Sequence, residues 1–215
     1  MDARPVFATA LRALAGTAAA TGWFALTLQL LLTVQRTQAQ GGSVLAGVWI
    51  YLDFFTILTN LLAAVSLTVA ARGPRGAFGR WLMRAESLAA TATSILIVGL
   101  VYNLVLRGIW QPTGWQRVVD ELLHVGMPLL YLACWWLATP RMPLRPWPLL
   151  AWLLYPLGYL LYALARGALD GRYPYPFLDV TALGQARVLL NSLGVAAAFV
   201  LVGGMLAGVQ RWRSR

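Results

Sequence analysis

The sequence predicts an all-α polytopic membrane protein, a bundle of six transmembrane helices forming one domain over residues 1–215. Three observations carry this. Charged residues are 11% of the chain and hydrophobic residues 60%, whereas a soluble domain carries about 25% charged residues. The mean hydropathy is +0.67. The apolar residues also gather into six segments, each near the roughly 20 residues that a helix needs to cross a bilayer. The chain has room for these spans and short connections, and none for a separate soluble domain.

The first segment, 10–34, follows Arg4 and Arg12 and outlines a signal peptide. It runs on to Val34 without a cleavage site, so a retained span is expected. The second, 47–71, contains Tyr51-Leu-Asp-Phe-Phe-Thr-Ile-Leu-Thr-Asn60, with a carboxylate, two hydroxyls and an amide in apolar surroundings. The third, 86–106, starts with Glu86, Ser87, Thr91 and Ser94 and closes on Tyr102 and Asn103. The fourth, 119–138, opens on Asp120 and Glu121 and holds the only histidine, His124, and the only cysteine, Cys134. A lone cysteine forms no intramolecular disulfide, and this one is expected to pack as a small hydrophobe. The fifth, 147–165, holds Pro148 and Pro156, which usually mark kinks in membrane helices. The sixth, 187–209, begins with Asn191 and Ser192 and ends in Gly204-Met-Leu-Ala-Gly208, a small-residue helix-contact motif common by chance in a glycine-rich chain.

Six spans put both termini on one side. That side holds Arg4, Arg12, Arg72, Arg75, Arg80, Arg84, Arg141, Arg145, Arg211, Arg213 and Arg215; the other holds Arg36, Arg107, Arg117, Arg166, Arg172 and Arg187. Eleven against six places both termini in the cytoplasm. The net charge of +10 thus reflects topology, and no nucleic-acid partner is expected. All 17 basic residues are arginine, as suits a GC-rich genome, and the expected location is a bacterial plasma membrane. Trp110, Trp115, Tyr173 and Tyr175 are expected to form an outer aromatic belt, and Trp81, Trp147 and Trp212 an inner one.

Polar groups at membrane depth are costly without partners and so suggest a site. Asp53, Thr56 and Asn60 are spaced to share one helix face. With this orientation Thr56 and His124 lie in the outer half of the bilayer, roughly 8 to 14 Å below its surface. Asp53, Asn103, Asn191 and Ser192 fall near the same level. An alcohol needs a base to become a nucleophile, and a neutral histidine suits that task. Thr56 and His124 can form such a pair if their helices touch. Asp120, four residues before His124, is placed to orient its ring, and Asn60, Asn103 or Asn191 to donate to an oxyanion. Each residue also has a structural reading. A membrane threonine usually bonds its own helix's carbonyl, a lone histidine often only holds structure, and Asp53 can simply pair with an arginine.

The stretch Tyr175-Pro-Phe-Leu-Asp-Val-Thr-Ala-Leu-Gly-Gln-Ala-Arg187, with Phe-Phe-Thr ending at Thr56 and Leu-Leu-His-x-x-x-Pro around His124, resembles the androgen-induced-protein (FAR-17a type) family of multipass membrane hydrolases. The resemblance covers nearly all of the chain and is nearest to a bacterial six-helix branch. It implies a hydrolase of fatty acid esters of hydroxy fatty acids, with Thr56 as nucleophile and His124 as base. Thr59 stands one turn on from Thr56 and remains an alternative nucleophile; Asp179 falls within the Tyr-Pro-Phe-Leu-acidic stretch.

The expected substrate is a lipid or fatty-acyl ester reached from the bilayer, with no cofactor and no metal. The competing expectation is a non-catalytic six-helix protein that binds or transports a small hydrophobic molecule. A continuous polar path to the inner side would favour transport, and a closed inner half the enzyme.

Overall fold

The computed structural model describes residues 3–139 and 151–214, with side chains from residue 9 onward. Ten α-helices are described: α1 (Ala3–Ala39), α2 (Val44–Tyr51), α3 (Phe55–Arg72), α4 (Gly76–Leu82), α5 (Ala85–Val101), α6 (Gly114–Glu121), α7 (Met127–Ala138), α8 (Leu154–Asp170), α9 (Val180–Leu183) and α10 (Gln185–Arg213). There is no strand among the described residues.

Among the described residues, five helical stretches are long and apolar enough to cross a membrane: Thr9–Ala39, Phe55–Arg72, Ala85–Leu106, Gly114–Ala138 and Gln185–Arg213. The fifth expected segment, 147–165, starts outside the described residues, as do Arg141, Arg145, Trp147 and Pro148. Its described part begins at residue 151 and from Leu154 on lies in the 17-residue α8, which continues to Asp170; Pro156 occupies the first turn of α8, where a missing N–H breaks no helical bond.

The second expected segment is not one helix. It is α2 and α3, separated by Leu52, Asp53 and Phe54. Asp53 therefore does not share a helix face with Thr56 and Asn60, and Thr56 is the second residue of α3 rather than well inside a span. One face of α8 holds this break in place. Its residues 155, 159, 162 and 166 recur at helical spacing. Tyr159 Oη donates to the Asp53 carbonyl (2.8 Å), Tyr162 Oη to the Leu52 carbonyl (3.2 Å) and Arg166 Nη1 to the Trp49 carbonyl (2.9 Å). The carbonyls freed where α2 ends thus find donors, as a buried helix end requires.

Two wide turns interrupt the long helices at one level, Tyr102–Leu106 after α5 and Leu122–Gly126 between α6 and α7. Pro128 accounts for the second. It has no N–H for the carbonyl four residues earlier, that of His124, and its ring crowds that carbonyl. The turn widens, and Met127 N bonds to the Leu122 carbonyl instead. Such wide turns are frequent at functional sites.

Alanines let the helices approach closely. Ala15, Ala18 and Ala19 of α1, Ala63 of α3 and Ala92 of α5 pack together with Leu67, Ile95, Met127 and Tyr131. A second cluster joins Phe55, Ile97, Val98, Tyr159, Tyr175, Val188 and Phe199, and a third joins Ala25, Leu26, Tyr51, Ile57, Val119 and Leu123. The candidate site lies where these two meet, at the start of α3. Large apolar side chains such as Leu104, Leu129, Leu161, Leu189, Leu201 and Met205 face outward.

Candidate active site

The start of α3 brings Thr56 toward the wide turn that carries His124. Thr56 Oγ1 lies 3.2 Å from His124 Nε2. His124 Nδ1 lies 2.9 Å from the Asp120 carbonyl oxygen. A carbonyl only accepts, so Nδ1 carries the proton and Nε2 presents a lone pair to the threonine hydroxyl. This is the tautomer that a general base needs. Asp120 thus orients the ring through its main chain; its carboxylate Oδ1 stands 3.6 Å from Nδ1. The Tyr102 ring stacks on the imidazole with centroids 4.0 Å apart, fixing the ring plane from the other side.

Tyr175 completes the cluster. It was expected in an outer aromatic belt, yet only 8% of its surface is exposed. Its Oη lies 3.3 Å from Thr56 N and 3.4 Å from Thr56 Oγ1. Burial pushes its phenol above the ordinary value, so it keeps its proton. The loop before α9 sets its position. Tyr175 stacks on Phe177 at 5.2 Å, and Asn191 Nδ2 donates to the Phe177 carbonyl at 2.9 Å. Asp179 caps α9 by accepting from Ala182 N at 3.0 Å, as short polar residues at helix starts do. The motif Tyr-Pro-Phe-Leu was the one signal in the sequence that marked Tyr175.

The other expected residues hold the frame. Asn60 Nδ2 donates to the Thr56 carbonyl (2.8 Å) and to the Leu123 carbonyl (3.2 Å), tying α3 to the turn that carries His124. Thr59 Oγ1 bonds Tyr155 Oη at 3.0 Å and faces α8. Asn103 Nδ2 donates to the Gly99 carbonyl, and its Oδ1 accepts from Arg107 Nε. Ser192 Oγ donates to the Val188 carbonyl. Asp53 turns away from the pair toward Arg166, with Oδ1 3.5 Å from Nη1 and side chains 1% and 3% exposed. Arg166, expected in a loop, is buried with its guanidinium 3.9 Å from the Trp49 ring centroid. No group of three potential metal-ligating side chains occurs among the described residues.

Two cavities meet at the pair. One, of about 420 Å³, is a partly polar vestibule lined by Gln29, Thr33, Arg36, Gln116 and Asp120. The other, of about 90 Å³, is apolar and is lined by Val98, Val101, Leu157, Leu160, Val195 and Phe199. Thr56, Tyr102, Leu106, His124 and Tyr175 line both. The arrangement can bind a molecule with one apolar arm and one more polar arm, and hold its middle against an activated hydroxyl.

No protein-family model, curated protein or solved structure matches the chain.

Proposed function

We propose that this chain is a six-span membrane protein of a bacterial plasma membrane, with both termini cytoplasmic, and that it is a lipid-ester hydrolase of the androgen-induced-protein type. Thr56 is its nucleophile and His124 its base, and its substrates are fatty acid esters such as esters of hydroxy fatty acids. The observation that carries the reading is the 3.2 Å approach of Thr56 Oγ1 to an Nε2 whose lone pair is fixed by the bond at Nδ1. Thr59 has its hydroxyl on Tyr155 instead, which favours Thr56 as the nucleophile.

In the proposed reaction Thr56 Oγ1 attacks the ester carbonyl carbon as its proton passes to His124 Nε2. The tetrahedral intermediate expels the alcohol, which takes that proton from His124. A water, deprotonated by His124, then attacks the acyl-threonine, releasing the fatty acid and restoring the hydroxyl. The acyl chain occupies the apolar cavity and the alcohol portion the vestibule.

The transport reading draws less support. The hydroxyls of Thr91, Thr93 and Ser94 return to carbonyls of their own helix rather than lining a path. Purified protein incubated with a panel of lipid esters and a fluorophosphonate probe tests the proposal. Turnover together with labelling of Thr56 is expected; neither, with a folded protein, would overturn it.

A further inference from the structure

An ester hydrolase needs a donor for the oxygen that becomes negative when the carbonyl is attacked. The three asparagines that the sequence offers for this task are committed elsewhere. Asn60 donates to two main-chain carbonyls, Asn103 to Gly99 and Asn191 to Phe177. None of the three lines either cavity. Tyr175 lines both, and its hydroxyl is the one phenol among the described residues within hydrogen-bond distance of Thr56.

The hydrogen bonds around this hydroxyl have a direction. Thr56 N–H can only donate, so Tyr175 Oη accepts from it. Thr56 Oγ1 spends its proton on His124 Nε2, so between the two hydroxyls Tyr175 is the donor and Thr56 the acceptor. The chain therefore reads Tyr175 O–H to Thr56 O–H to His124 Nε2, and His124 Nδ1–H to the Asp120 carbonyl. Thr56 N–H also belongs to the first turn of the 18-residue α3, whose partial positive charge polarises the phenol it bonds to.

We propose that Tyr175 is a catalytic residue whose hydroxyl donates to the ester's carbonyl oxygen as that oxygen becomes an oxyanion. Before attack, the Tyr175 proton rests on a lone pair of Thr56 Oγ1. Attack converts a second lone pair of Oγ1 into the new bond to carbon and moves the carbonyl π pair onto its oxygen, so that the oxyanion stands two bonds from Oγ1 across that carbon. The phenol proton then transfers its hydrogen bond from Oγ1 to the oxyanion and returns when the intermediate collapses. No proton is gained or lost by Tyr175 in the cycle. The bond to the oxyanion is absent in the ground state and present in the transition state, the kind of interaction that raises kcat.

This inference rests on the hydrolase reading, and Tyr175→Phe separates the two. The ring and its contact with Phe177 remain while the hydroxyl goes. Expected is a loss of about 10²- to 10³-fold in kcat, the scale for one oxyanion donor, with KM changed less than about 2-fold since the bond is absent from the ground state. A long-chain trifluoromethyl ketone, which forms a tetrahedral adduct with Thr56, should lose affinity by a similar factor, while the matching non-reactive ether keeps its own. A purely structural role would weaken both ligands. Should the Phe variant fail to fold, 3-fluorotyrosine at position 175 retains the hydroxyl and alters its acidity, and kcat should change while KM does not. Wild-type kcat in the Phe variant, or in the fluorotyrosine protein where that is the one that folds, overturns this inference alone. No turnover of any ester by the wild type overturns the hydrolase reading and this inference with it.

Discussion

Gly99 lies against the main chain of His124. A β-carbon at position 99 would come within 3.0 Å of the His124 carbonyl oxygen and 3.3 Å of Pro128 Cγ. Helix α5 therefore packs directly on the turn that presents the imidazole, and the absent side chain sets how close it comes. Gly99→Ala should push that turn outward, destabilise the fold by about 1–3 kcal/mol, and lengthen the bond between Thr56 and His124. Thermal unfolding in detergent and ester turnover measure the two effects. Unchanged values of both would show that the contact yields without consequence.

Removing the proposed nucleophile and base should separate chemistry from folding. Thr56→Ala should abolish turnover and probe labelling, because a methyl group cannot attack a carbonyl. Thr56→Ser should keep part of the activity. His124→Ala should cost at least about 10²-fold, the usual scale for a lost general base. Thr59→Ala should leave labelling intact. Loss in Thr59→Ala with full activity in Thr56→Ala would move the nucleophile by one turn.

The Asp53–Arg166 pair should matter for stability more than its surface counterpart, Arg107–Glu121, whose side chains are 42% and 40% exposed. Asp53→Asn leaves the buried guanidinium only the partly exposed Asp170 carboxylate, 3.8 Å from Nη2, and should destabilise by about 1–3 kcal/mol, less than a wholly unpaired buried charge would. The double variant Asp53→Asn with Arg166→Gln should recover part of that, because no buried guanidinium then depends on Asp170 alone. Glu121→Gln should leave stability nearly unchanged, since solvent screens the exposed pair. A double-mutant cycle by thermal unfolding gives these values; an additive double variant would show that the two groups do not interact.

Filling the apolar cavity should change chain-length preference. Ala196 lines it, and Ala196→Phe takes up space assigned to the acyl chain. The longest acyl esters should lose roughly 10-fold or more in kcat/KM, as rejected methylenes do in apolar pockets, while the shortest keep theirs. A uniform loss across chain lengths would place the acyl chain elsewhere.

Both termini should be accessible from the cytoplasm only. Protease treatment of tagged protein from each side of the membrane tests this, and exposure of either tag on the outer side would reverse the proposed orientation.

Composition and the spacing of apolar segments determined that the described residues are helical without strands, with five helices of membrane length. These are local, periodic properties: each long helix meets its own backbone hydrogen bonds and needs only an apolar surface. The same reading singled out Thr56 and His124, since polar groups in apolar helices are few enough to stand out. The helix break at Leu52–Phe54 was not legible, because Val44–Arg72 is apolar on both sides of it and the donors that stabilise the break come from α8, about a hundred residues away. Asp53 accordingly read either as part of a site or as the partner of an arginine, and it pairs with Arg166. Tyr175 and Arg166 read as residues of an outer rim for the same reason. Their polar ends are satisfied by groups distant in the chain, and only packing α3, α8 and the loop before α9 together decides that a tyrosine hydroxyl stands beside Thr56 rather than in the rim.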